Sequence, residues 1–226
     1  MKKLFIYLLL LTGTVFNTYA QKDDAAKAIL NELSKKYRSY TSIKTDFLLS
    51  VENKQAALVE NQTGTVISKA QGNKFRVSLY SPVSKSKSVM DQEIISNGKT
   101  QWTYLVADKE VQVNDAGQGD DAFNPAQIYT IYEKGYKYLF TGTKKLNGKL
   151  YQIIDLTPEA ENAQFFKIRL TIDKVKKQIY NVLVFDRNGS RYNYTLKTVT
   201  PNVPVADAFF TFDTKKNPGV EVVDLR

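Results

Sequence analysis

The chain has 226 residues, with 32 Lys and Arg against 23 Asp and Glu for a formal charge of +9, and contains neither histidine nor cysteine. Those two absences exclude an imidazole base, a thiolate nucleophile, disulfides and every His/Cys metal site. Its 14 Tyr, 12 Phe and one Trp supply a large apolar payload instead.

The N-terminus has the order of a secretory signal. Lys2 and Lys3 precede an apolar run over 4–16 that is broken only by Thr12, Gly13 and Thr14. Thr18-Tyr19-Ala20 then sets small residues at the two positions a signal peptidase reads. A run of about 13 apolar residues is too short to cross the ~30 Å hydrocarbon core. Residues 1–20 are therefore expected to be a cleaved signal, and 21–226 a single domain in the envelope. No cysteine follows to carry a lipid, so a soluble periplasmic monomer is expected. Taking Lys2 and Lys3 from 32 basic residues leaves 30 against 23 acidic, a net +7. In that compartment nucleic acid is not an expected partner. Anionic membrane surfaces or acidic proteins suit the charge, and so does a plain solvated lysine surface.

A first helix is predicted from a cap at Asp23 or Asp24 to about Tyr40. Ile29, Leu30, Leu33, Tyr37 and Tyr40 fall on one stripe, with Glu32 and Lys36 at i,i+4 on another face. Strands follow. Phe47, Leu49 and Val51 alternate with Asp46, Leu48 and Ser50; 63–69 and 75–80 flank Gln71-Gly72-Asn73. Asn97-Gly98 joins 93–96 to 100–106 as a hairpin, and 109–114 is a further strand. After a polar loop over 115–121, Asn124 and Pro125 open a second helix that Gly135 closes. Its face carries Ile128, Ile131 and Tyr132, with Tyr129 beside them. The second half continues with 138–143 and 150–156 around Asn147-Gly148, then 167–172. Asn188-Gly189 separates 179–185 from 191–197, and short strands at 210–212 and 220–223 end the chain. Eleven or twelve strands and two helices predict a mainly β fold, one large curved antiparallel sheet with helices as cover.

Chemistry is weakly signalled. Ser84-Lys85-Ser86-Lys87 matches S-x-x-K, but S-D-N and K-T-G are missing and the stretch is a Lys/Ser-rich loop. The acidic loop 115–121 lacks the spaced ligands and terminal Glu of an EF-hand, so it reads as a surface loop. Nothing points to a carboxylate pair of the kind glycosidases use. No enzyme, cofactor or metal is expected. The apolar faces are more telling: Phe47/Leu49, Phe75/Val77/Leu79, Trp102/Tyr104/Val106 and Ile168/Leu170/Ile172 each point to one side of their strand. Two short helices cannot readily fill the hollow of such a sheet, and a residual apolar cavity is expected.

At this point the residues resemble a known family. Ile94-Ile95-Ser96-Asn97-Gly98-Lys99-Thr100-Gln101-Trp102-Thr103-Tyr104 is similar to a hairpin of the LolA family, periplasmic carriers of lipoproteins to the outer membrane. Phe210-Thr211-Phe212-Asp213 and Pro218-Gly219-Val220-Glu221-Val222 resemble the family's closing segment. Lys74-Phe75-Arg76 with Pro82, Phe166 to Asp173, and Asp186-Arg187-Asn188-Gly189 fit its strand order. The resemblance implies an incomplete antiparallel barrel of about eleven strands with an α-helical lid over an apolar cavity. It implies acylated lipoproteins as cargo, an inner-membrane ABC transporter as donor, and an outer-membrane acceptor. A carrier or sensor of free lipid or another amphiphile on the same fold is the alternative. On this reading Phe47, Leu49, Phe75, Val77, Leu79, Trp102, Tyr104, Ile168 and Leu170 line the cavity. Ile29, Leu33, Ile128, Ile131 and Tyr132 face it from the lid. Lys74 or Arg76 stands where the family has a basic residue linked to cargo handling.

Overall fold

The computed structural model describes residues 17–69, 72–84, 87–117, 128–133 and 135–226. Helix α1 spans Asn17–Arg38 and turns its Leu30, Leu33 and Tyr37 stripe inward. It begins earlier than Asp23 and stops before Tyr40. Lys35, Lys36 and Arg38 occupy the last turn, where the helix dipole favours cations, and the Ser39 hydroxyl donates to the Lys36 carbonyl at 2.6 Å.

Twelve strands follow: β1 (Ser42–Asn53), β2 (Leu58–Lys69), β3 (Lys74–Ser84), β4 (Lys87–Asn97), β5 (Thr100–Leu105), β6 (Glu110–Asp115), β7 (Tyr136–Leu146), β8 (Lys149–Pro158), β9 (Phe165–Asp173), β10 (Gln178–Asp186), β11 (Ser190–Pro201) and β12 (Glu221–Asp224). They form one sheet in the order β12-β6-β5-β4-β3-β2-β1-β11-β10-β9-β8-β7. Consecutive strands pair antiparallel within each half, and the halves meet where β1 pairs with β11, from Ile43 opposite Pro201 to Asn53 opposite Ser190. The two edges do not pair with each other, so the barrel is unclosed. Register shifts at Asp46/Phe47, Leu79/Tyr80 and Phe140/Gly142 add the local twist that curls it.

Several boundaries differ from expectation. Strand β4 begins at Lys87, well before residue 93, because residues 87–92 pair back onto β3. Residues 210–212 are not a strand: a 3-10 turn, Asp207–Phe210, runs into extended chain. β12 lies parallel to β6, the exception to an otherwise antiparallel sheet. Asn124 and Pro125, with residues 118–127, lie outside the described residues; the remainder of the expected second helix is a 3-10 turn, Ile131–Glu133.

The topology explains the cover. β6 and β7 are consecutive in sequence but lie at or next to opposite edges of the sheet. In the connection between them, Ile128, Tyr129 and Tyr132 are buried in the main apolar cluster with the stripe of α1, and this part is the segment that crosses the sheet. The concave face below is continuous across both halves, from Phe75 and Val77 through Phe47 to Leu170 and Leu156. Phe47 lies directly over Gly64, its partner on β2, where a Cβ would clash with the ring at its Cζ.

Candidate functional site: the apolar interior and its cover

Of the residues expected to line the cavity, seven come together on the concave face. Val77, Ile168 and Leu170 are fully buried, Phe47, Phe75 and Leu49 nearly so, and Leu79 packs against them half-buried. From above, Ile29, Leu33, Ile128 and Tyr132 are buried against the same cluster and Ile131 is half-buried there.

Trp102 and Tyr104 are elsewhere. Trp102 pairs with Ile95, and Ile95 with Arg76, while Val77 pairs with Ile94 and Ile94 with Thr103. Cross-strand partners share a face, so Trp102 and Tyr104 lie on the convex side. There they form a second cluster with Ile95, Val111 and Phe212, and Tyr104 meets the Phe212 ring at 5.2 Å. The C-terminal segment covers them as a strap. Arg76 shares that outer face: its guanidinium lies 4.5 Å from the Phe209 ring centre and donates to the Thr211 carbonyl at 3.2 Å. Lys74 and Lys69 both pair with Asp207 of the strap, and these hydrogen bonds draw its carboxyl down to about 2. Lys74 nevertheless borders the opening described next; Arg76 does not.

Among the described residues, cavities open beside these packed side chains. A cavity of about 260 Å³ opens at the rim between Tyr37, Ile43, Phe75 and Tyr129, with Lys69 and Lys74 on its lip. A second, of about 190 Å³, lies between Leu30, Ser34, Tyr132 and Tyr138. Arg38 and Glu133 border both. The Arg38 guanidinium grips Glu133 with two hydrogen bonds of 3.0 and 2.7 Å, and the Ser34 hydroxyl adds a third. This fork ties α1 to the crossing segment and partitions the two cavities. Beneath it Tyr37 packs 4.3 Å from Tyr129, the Ile179 N–H donates to the Tyr37 oxygen, and the Tyr129 and Thr45 hydroxyls are bonded. Burial pushes the Tyr37 and Tyr129 phenols far up, so they stay neutral donors and acceptors.

The Arg38–Glu133 fork leaves little trace in the sequence. Its only sequence signal is that Ser34 and Arg38 stand at i,i+4 on the flank of the apolar stripe. Replacing Glu133 by Gln should speed amide exchange of α1 a few-fold, read by hydrogen-exchange mass spectrometry, with exchange in β9 and β10 unchanged. Equal exchange in α1 would show that the fork does not hold the cover.

A single curled, unclosed sheet holding an apolar interior under one helix and one crossing segment defines the class of incomplete antiparallel barrels. Two solved structures share the fold. One is an uncharacterized conserved protein of Thermus thermophilus (TM-score 0.55, 15% identity, 88% of this chain and 99% of that one). The other is a proposed outer membrane lipoprotein-sorting protein domain of Vibrio parahaemolyticus (TM-score 0.51, 13% identity, 83% and 97%). The chain belongs to the LolA family, described as outer membrane lipoprotein carrier protein LolA, which it matches over residues 38–213. Among curated relatives, the outer-membrane lipoprotein carrier protein of Pasteurella multocida is 28% identical over 94% of this chain and 93% of its own length. That of Haemophilus influenzae (KW20 / Rd) is 26% identical over 100% and 99%.

Proposed function

We propose that this protein is a periplasmic carrier of acylated lipoproteins. It receives them from an inner-membrane ABC transporter, shelters their acyl chains between sheet and cover, and hands them to an outer-membrane acceptor. Residues 1–20 are its removed signal, and no residue has a catalytic role.

The observation that supports this most is the filling of the concave face. Ile29, Leu33, Ile128 and Tyr132 reach the hollow from α1 and the crossing segment rather than from the sheet itself. Acyl chains would take the place of these side chains once the cover lifts. Exposing an acyl chain costs about 0.8 kcal/mol per CH₂, so three chains of about sixteen carbons need on the order of 35 kcal/mol of shelter. No carrier releases such a load into water. It exchanges one apolar environment for another, and the cover must lift at small cost. The cover is one helix and one crossing segment, joined to each other by an ion pair whose arginine stands in solvent, and we infer that it lifts as a unit.

Purified protein added to spheroplasts should release acylated lipoproteins into the medium, mole for mole, only while the spheroplasts hold ATP. No release, with free lipid copurifying instead, would replace this reading with a carrier of free lipid.

A further inference from the structure

We propose that the tips of the β7–β8 and β9–β10 hairpins form a docking surface for anionic phospholipid bilayers. This rests on the carrier reading and adds to it where the protein touches the membrane.

The two turns stand side by side, with the Lys174 N–H donating to the Leu150 carbonyl at 3.0 Å. Lys144, Lys145, Lys149, Lys174 and Lys176 are exposed around them, and no carboxylate among the described residues pairs with any of the five. The nearby acids are already engaged. Glu32 pairs with Lys177 at 2.7 Å, and buried Asp173 accepts from the Val175 and Lys176 N–H groups at 3.0 and 2.8 Å. That turn is held further by the Lys36 ammonium on the Lys176 carbonyl at 2.6 Å.

At its apex stands Val175, 85% exposed, the most exposed large apolar side chain among the described residues. Leu150 and Tyr180 are also exposed nearby. An apolar apex ringed by lysines, with a tyrosine behind it, suits the bilayer interface: the apex enters, the long lysine stems lie along it, and the ammoniums reach lipid phosphates. An acidic protein would suit a fixed, shape-matched surface of forked arginines better than convex tips of mobile point charges. The location fits as well. Alternation along the sheet puts both turns at the strand ends where β1 begins and where the cavity bordered by Ile43, Lys69 and Lys74 opens. Docking there faces the opening toward the source or destination of acyl chains.

The test is flotation of the purified protein with vesicles of phosphatidylcholine, with and without phosphatidylglycerol. Binding should require phosphatidylglycerol and fall in high salt. Each neutralised lysine removes about fivefold in affinity, so Lys174→Gln with Lys176→Gln should weaken binding about 25-fold. Val175→Ser should weaken it further at constant charge. Lys215→Gln with Lys216→Gln, on the distant strap, should leave it intact. Uptake of a fluorescent fatty acid in solution is measured on the same variants and should not change. Retained uptake with no preference for phosphatidylglycerol, or with no loss in the Lys174/Lys176 variant, overturns the docking surface and leaves an acidic protein as the partner for these lysines. Failed uptake by the unmodified protein would instead overturn the carrier reading beneath it.

Discussion

Leu33→Glu is expected to lower acyl binding more than tenfold while the sheet stays folded. Leu33 is 1% exposed, at the centre of the contact between α1 and the concave face. A carboxylate there has no partner among the apolar side chains around it, and an unpaired buried charge costs several kcal/mol. The molecule avoids that cost by swinging α1 outward, since the helix is joined to β1 only through residues 39–41. The sheet retains its ladders, but the hollow is left wet and one wall of the proposed acyl site carries a charge. Leu33→Ala separates the two effects, because it loosens the cover by about 2–5 kcal/mol without adding charge. Its uptake of a fluorescent fatty acid should stay close to that of the parent. Far-ultraviolet dichroism reports the sheet, and exchange of α1 amides reports the cover. Undiminished uptake by Leu33→Glu would remove α1 from the binding site.

Gly64→Val is expected to cost about 1–3 kcal/mol or more by overpacking, and to block the interior as well. A Cβ at residue 64 would stand far inside van der Waals contact with Cζ of the Phe47 ring. That ring is wedged between β2 below and Tyr194 at 5.8 Å, so it must turn up into the space that acyl chains would take. The loss of stability should appear as a melting temperature lower by about 5 °C, and uptake should fall with it. The cause can be isolated by a double-mutant cycle with Phe47→Ala, which is itself destabilising. With the ring gone, the added side chain at 64 has room, and its cost should nearly vanish. Equal costs in both backgrounds would mean that the Phe47–Gly64 contact is not what position 64 protects.

The face composition of each strand was legible from alternation, and its placement was not. Phe47, Leu49, Phe75, Val77, Ile168 and Leu170 all lie together as their spacing suggests. Trp102, Tyr104 and Val106 also share one face as expected, but it is the convex one. Alternation groups side chains; only the pairing of Trp102 with Ile95 decides which side the group occupies. The same parity carries Arg76 outward beneath Phe209. The Phe210-Thr211-Phe212 alternation mimics a strand, yet its aromatic rings serve to cap that convex cluster. Asn-Gly pairs located three hairpins correctly, although Asn147-Gly148 alone has both residues at positive φ. The cover was half legible. The stripe on α1 was plain, whereas the crossing segment is held in place by the strand order, which no local pattern encodes.

The pairing of β1 with β11 has a consequence for how the chain matures. β1 is the first strand to be made and β11 nearly the last, with about 140 residues between them. Until residue 190 is available, the hydrogen-bonding edge of β1 stays unpaired, and Phe47 and Leu49 lack Leu196 and Tyr194 opposite them. The N-terminal half can assemble β1 to β6 as a meander, but α1 has no site yet, because Tyr37 awaits Ile179 and the helix lies along β7. Such dependence on distant contacts slows folding and keeps an adhesive edge open in the meantime. On the proposed export route that delay is an advantage, because the native state would stay out of reach until translocation is almost complete.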